Sequence, residues 1–216
     1  PFNYFDGSMG GYFRYDEMLF IMEWMKDLYP ELVSKMDTIR GYKTHDGNVI
    51  TYLKISDFPA IDENEPELLY TALHHAREPN SLSQMIFYMW YLLENYYKNP
   101  EIKYLVDHTE MYFVPCVNPD GYKINIKNKP DGGGLWRKNG RKDESGKLVG
   151  VDLNRNYGYE WGYDDEGSSP NQGSETYRGT AGFSEPETSA IREFCVSRNF
   201  VMALNFHTFG NLLIHP

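Results

Sequence analysis

Two histidines and a glutamate carry the strongest chemical signal in the sequence: His75, Glu78 three positions later, and the distant His207. Two imidazoles and one carboxylate suit a catalytic zinc, because three protein donors leave the fourth tetrahedral position open for water. The spacing His-x-x-Glu carries little by itself, since it recurs by chance and a histidine near a strand end is more often a satisfied polar residue. His207 adds weight because it follows a second, independent apolar strand. If the two strands are parallel neighbours, both histidines leave at the carboxyl edge of one sheet, where open α/β folds bind ligands. His74 points to the other side of an extended segment and is read as structural. His45, His108 and His215 have no partner pattern and are read as ordinary polar histidines.

These ligands need rigid elements to hold them. Met18, Ile21, Met22, Met25 and Leu28 follow helical spacing up to Pro30, which predicts a surface helix. Val33 to Tyr42 and Val49 to Ser56 read as two strands of a hairpin turning at His45-Asp46-Gly47-Asn48. Leu68 to Leu73 reads as a strand buried on both faces, followed by a helix through Leu82, Met85, Ile86, Met89 and Leu93. Met111 to Val117 is a further strand, ending in a turn at Asn118-Pro119-Asp120-Gly121. Ser184 to Glu187 reads as a capping box with Ser184 as N-cap, opening a helix to about Arg198 before the strand Phe200 to Phe206. Alternating strands and helices imply an α/β fold with a mixed, mainly parallel central sheet and helices on both faces. Residues 118 to 183 form a long aperiodic stretch whose Trp and Tyr content favours ordered, functional loops.

Composition bounds the partners. The 216 residues are 41% hydrophobic and 16% aromatic, ample for a buried core in one domain. A net charge of -10 argues against nucleic acid or an anionic membrane as partner. No apolar run approaches the roughly 20 residues of a spanning helix; the run ending at Leu93 is closed by Glu94 and Asn95. The start at Pro1, with neither an initiating Met nor a leader-like stretch, reads as processed or trimmed. Cys116 and Cys195 lack any framework spacing and are expected to be buried free thiols.

The loop stretch adds Leu135-Trp136-Arg137-Lys138-Asn139 and Val151-Asp152-Leu153-Asn154-Arg155-Asn156. With His75-Ala76-Arg77-Glu78, Asn118-Pro119-Asp120-Gly121, the Ser184 to Glu187 segment and Asn205-Phe206-His207, these motifs, in order along nearly the whole chain, resemble the zinc metallocarboxypeptidases related to carboxypeptidase A. The likeness is greatest to bacterial carboxypeptidase T, through residues 62 to 67, 70 to 78 and 174 to 179. The resemblance implies a secreted, monomeric, zinc-dependent exopeptidase that removes C-terminal amino acids from peptides with a metal-activated water. His75, Glu78 and His207 would hold Zn2+, and Arg137 would stabilise the oxyanion. Arg155 with Asn154 would clamp the free C-terminal carboxylate, and Arg77 would line the substrate path. Asp152 would accept the remaining N–H of His75 and so orient it.

The acidic loop with Ser56, Asp57, Asp62, Glu63, Glu65 and Glu67 suits a hard cation. The similar segment in carboxypeptidase T binds calcium, so a structural Ca2+ is expected here, against the alternative of a solvated acidic loop. Residues 1–216 are expected to form the N-terminal part of a single catalytic domain. The resemblance places the general base, a closing tyrosine and most of the side-chain pocket beyond Pro216. Two other readings stay open: a zinc amidase or deacylase on the same scaffold, and a peptide-binding homologue without catalysis.

Overall fold

Side-chain alternation along two central strands decides the layering. The computed structural model describes residues 1–215. Strands β3 (Glu67–Thr71) and β4 (Glu110–Val114) are buried at every position, which requires cover on both faces of the sheet. On one face Leu68, Tyr70, Met111 and Phe113 pack with Met18, Ile21 and Met22 of helix α1 (Tyr15–Leu28) and with Leu82, Met85 and Met89 of helix α2 (Pro79–Asn95). On the other, Leu69, Tyr112 and Val114 pack with Ala190, Ile191 and Phe194 of helix α5 (Pro186–Val196). The expected α/β architecture with helices on both faces is therefore present.

The five strands run in the order β1 (Asp37–Thr38), β2 (Thr51–Ile55), β4, β3, β5 (Phe200–Asn205). β1, β2 and β4 pair antiparallel, whereas β4, β3 and β5 are parallel. The parallel register sets Thr71 opposite Asn205, and Phe206 N–H donates to Thr71 O at 2.8 Å. His75 and His207 consequently leave the sheet at the same edge. No helix among the described residues is long and apolar enough to cross a membrane.

Several local expectations change. The hairpin is present, but β1 is only two residues long; outside it, the arms are tied by single contacts such as Ile39 N–H to Ile50 O. β3 ends at Thr71 because Leu73 takes a φ of 53°, a conformation costly for a side chain with a Cβ. The backbone there is fixed by Leu73 N–H to Ser81 Oγ and Asn118 N–H to Leu73 O, both 3.1 Å.

Asn118-Pro119-Asp120-Gly121 is not a free turn but the opening of helix α4 (Pro119–Asn128), with Asn118 accepting from Gly121 N–H as its cap. Proline suits the first helical position, since its missing N–H has no acceptor to lose there. Gly121 is required, because a Cβ would lie 2.3 Å from Lys138 O. Glu185, not Ser184, caps α5, and the helix stops at Val196. A short helix α3 (Pro100–Asp107) precedes β4; its one fully buried position, Val106, leaves little periodic signal in sequence. Cys116 is buried as expected, but Cys195 is exposed; both are free thiols.

Trp90 of α2 is fully buried and meets Trp24 edge-on at 5.1 Å. Trp90→Ala is expected to cost about 3–5 kcal/mol of unfolding free energy. A urea titration followed by circular dichroism checks it, and a cost below about 1 kcal/mol would count against this packing.

Candidate metal centre

The loop after β3 and the residue after β5 bring three ligating side chains together. His75 Nδ1 lies 2.8 Å from Glu78 Oε1. His207 Nδ1 lies 3.0 Å from Glu78 Oε2 and 3.2 Å from His75 Nδ1. Glu78 immediately precedes α2, and its Oε2 also accepts from Thr208 N–H at 3.1 Å. His75 and Glu78 are buried and His207 is half-buried.

Asp152 fixes which nitrogen of His75 faces the cluster. His75 Nε2 sits 3.1 Å from Asp152 Oδ1 and Nδ1 faces Glu78 Oε1; a carboxylate can only accept, so both nitrogens donate, and a metal taken at Nδ1 would replace the proton there while Asp152 keeps the one on Nε2. Burial favours a neutral Asp152, but hydrogen bonding and charge from His75, together with Arg137, hold it below the usual carboxylate range. Burial likewise opposes ionised Glu78, yet hydrogen bonds from His207 and His75 hold its carboxyl well below the ordinary value. Burial lowers the basicity of His75, but hydrogen bonds to Asp152 and Glu78 raise it overall. Imidazole nitrogens and anionic oxygens thus converge at separations close to the ~3.3 Å edge of a tetrahedral zinc shell. Protons or a cation must balance them, and the donor set fits zinc.

The arginines are placed unequally. Arg137 Nε and Nη2 donate to Asp152 Oδ2 at 3.0 and 2.8 Å, and Nη1 lies 3.9 Å from Glu78 Oε1 at the margin of the cluster. Arg155 leaves a short 3-10 turn, Leu153–Arg155, in which Asp152 accepts from Asn154 N–H. Its Nε and Nη1 are held by Gly167 O and Asn154 O. Beside Arg155 and Asn154 opens a cavity of about 440 Å3, lined also by Tyr157, Glu160, Trp161 and Tyr163. Arg77 pairs with Glu175 at 3.0 Å. Asn156 belongs to its turn: its side chain bonds Arg178 O, Ala181 O, Glu185 N–H and Thr188 Oγ1. His74 is fully buried, bonded to Tyr157 Oη at 2.7 Å, and pushed down to about 3 by burial and by His207 and His75.

The acidic loop divides. Asp57, Glu63 and Glu65 draw together, with Oε2 of both glutamates unpartnered among the described residues. Asp62 and Glu67 turn instead to Arg198, and Ser56 Oγ accepts from Phe58 N–H.

The chain matches the zinc carboxypeptidase family over residues 20–216. It is 36% identical to a zinc carboxypeptidase of Saccharothrix mutabilis subsp. capreolus, over 73% of this chain and 35% of that protein. It is 30% identical to an inactive metallocarboxypeptidase of Talaromyces marneffei, over 94% of this chain and 35% of that protein. The carboxypeptidase A structure from Helicoverpa armigera superposes with a TM-score of 0.78 at 28% identity, covering 94% of this chain and 47% of that one. The chain thus spans half or less of the length of these relatives.

A second buried polar cluster escaped sequence reasoning, because its members are scattered along the chain. His45, which shows no partner pattern in sequence, donates from Nε2 to Glu185 Oε2 at 2.9 Å. Arg141 Nη1 donates to Glu185 Oε1 at 2.6 Å, and Asn139 Nδ2 reaches both Glu185 and Glu187. Burial favours neutral Glu185, but hydrogen bonds from His45, Asn139 and Ser184 with the Arg141 charge hold it down to about 2. Burial pushes Glu187 up to about 7. The hydrogen bond to Glu185 raises His45 above its ordinary value.

The signs give a pH profile. Glu185 contributes stability above its unfolded value of 4.5 that is lost as pH falls toward 2. Glu187 binds its proton more tightly when folded, so stability falls as pH rises from 4.5 to about 7. The His45 contribution is complete below 6.5 and lost as pH rises through its folded value. Glu187→Gln is expected to flatten the decline in unfolding free energy between about pH 5 and 7, measured by urea titration in chelating buffer. An unchanged slope would refute the assignment.

Proposed function

Because the chain belongs to the zinc carboxypeptidase family, we propose that it holds the metal-binding and carboxylate-anchoring parts of an exopeptidase that removes C-terminal amino acids from peptides. The convergence of His75, Glu78 and His207 beside Arg137 carries this reading. Zinc bound there supplies a Lewis acid that polarises a carbonyl and lowers the pKa of a water to about 7.

The chain's own residues do the rest. Asp152 fixes the His75 tautomer and, by holding Nε and Nη2 of Arg137, leaves Nη1 for an oxyanion developing at the metal edge. A guanidinium suits that task, since it stays charged and offers several donors in one plane. The bonds from Arg155 to Gly167 O and Asn154 O hold its plane, leaving Nη2 for the substrate carboxylate, with Asn154 alongside. Anchoring that carboxylate makes cleavage exopeptidic. Arg77, steadied by Glu175, lines the approach. Glu78 is not assigned as general base, because both its oxygens are engaged by the histidines. We further propose an extracellular location, in keeping with the resemblance. The inactive Talaromyces relative motivates a second reading, a homologue that binds peptide C-termini without turnover.

Zinc-dependent release of free amino acid from a peptide panel, with C-terminal amides as controls, tests the proposal on the protein that contains this chain. Arg155→Gln is expected to lower kcat/KM for free-acid peptides by about 30-fold or more, the cost of leaving a charge without its partner. Equal cleavage of acid and amide would sink the exopeptidase reading. Zinc binding without turnover would favour the binding homologue.

For calcium, the proposed ligands are Asp57, Glu63 and Glu65, since the shared burial and mutual charge that raise Glu65 would be relieved by a cation. Added calcium is expected to raise Tm in the wild type and not in Glu65→Gln. A Tm indifferent to calcium and chelator would refute it.

A further inference from the structure

The cluster of His45, Glu185 and Glu187 has the makings of a second ligand site. One imidazole nitrogen and one oxygen from each carboxylate lie within 4.8 Å of one another. Both glutamates are fully buried, whereas the His45 side chain keeps 31% of its surface exposed, so the cluster opens to solvent only through the histidine. Glu185 Oε1 is taken by Arg141 and Ser184, and Asn139 Nδ2 donates to Oε2 of both glutamates, holding them side by side. Oε1 of Glu187 has no partner among the described residues. An unpaired buried carboxylate oxygen is destabilising, and an ion is one of the agents that satisfy it.

We propose that His45, Glu185 and Glu187 bind a divalent cation of the zinc class, separately from His75, Glu78 and His207. The charge supports it: two carboxylates face one guanidinium, Arg141, and once His45 gives up its proton the cluster keeps a net negative charge that a dication offsets. The neighbouring charged groups are otherwise paired, Asp46 with Lys142 and Asp120 with Thr44 and Asn48. One nitrogen and two carboxylate ligands suit zinc or manganese and disfavour a purely oxygen-seeking ion. Binding replaces the His45 Nε2 proton now given to Glu185 and frees a proton from Glu187, so affinity rises with pH.

The zinc stoichiometry of the tag-free protein, by equilibrium dialysis at pH 7.5 with millimolar calcium present, tests this independently of activity. Wild type is expected to bind two equivalents, one lost in His75→Ala and the other in both His45→Ala and Glu187→Gln. Each single variant's remaining equivalent reports that it has folded. A single wild-type equivalent lost in His75→Ala and kept in His45→Ala overturns the second site while sparing the proposed function. A single equivalent with the opposite pattern supports the second site and removes the metal centre on which the proposed function rests. Two equivalents retained in both His45→Ala and Glu187→Gln overturn it as well.

Discussion

One buried carboxylate holds the candidate site together. Asp152 accepts from His75 Nε2, from Asn154 N–H and from two nitrogens of Arg137. A fully buried anion is tolerated only when paired and hydrogen-bonded, and these four donors meet that requirement. The same bonds set the tautomer of His75, the plane of Arg137 and the turn that presents Arg155. The proposed metal ligand, oxyanion donor and carboxylate anchor are therefore coupled through one side chain.

The sheet supplies the other constraint. His75 and His207 are 132 positions apart in sequence, and only parallel pairing of β3 with β5 brings them to one edge. The left-handed backbone at Leu73 then turns the chain out of the strand two residues before His75. Because β3 is buried on both faces, a one-residue slip would exchange the residues facing α2 with those facing α5. Packing thereby protects ligand geometry.

Between β4 and α5 the long loops are ordered by side chains that act as substitute backbone. Asn118 bonds His74 O and Lys138 O, Asn125 brackets Trp136 through both its N–H and C=O, and Asn139 accepts from Val151 N–H. Lys138 Nζ ties Gln172 O to Ser174 O. Irregular backbone can be buried only where its polar groups find such partners, which explains why this region is rich in asparagine and lacks periodicity.

The sequence by itself was sufficient for what repeats locally or matches in order: the amphipathic helices, the buried strands, the α/β class and the grouping of His75, Glu78 and His207. It misread Asn118 to Gly121 and Ser184 because a cap and a turn use the same residue types, and only the helix that follows separates them. It read His45 as an ordinary polar histidine without a partner pattern because Glu185 lies 140 positions away. It grouped six acidic-loop residues that the fold divides, sending Asp62 and Glu67 to Arg198, just past the C-terminal end of α5. Residue type and spacing determine which chemistry a chain can perform. Which nitrogen of His75 faces the candidate metal site, and which carboxylates stay unpaired, depends on contacts between distant segments, and only the tertiary structure decides those.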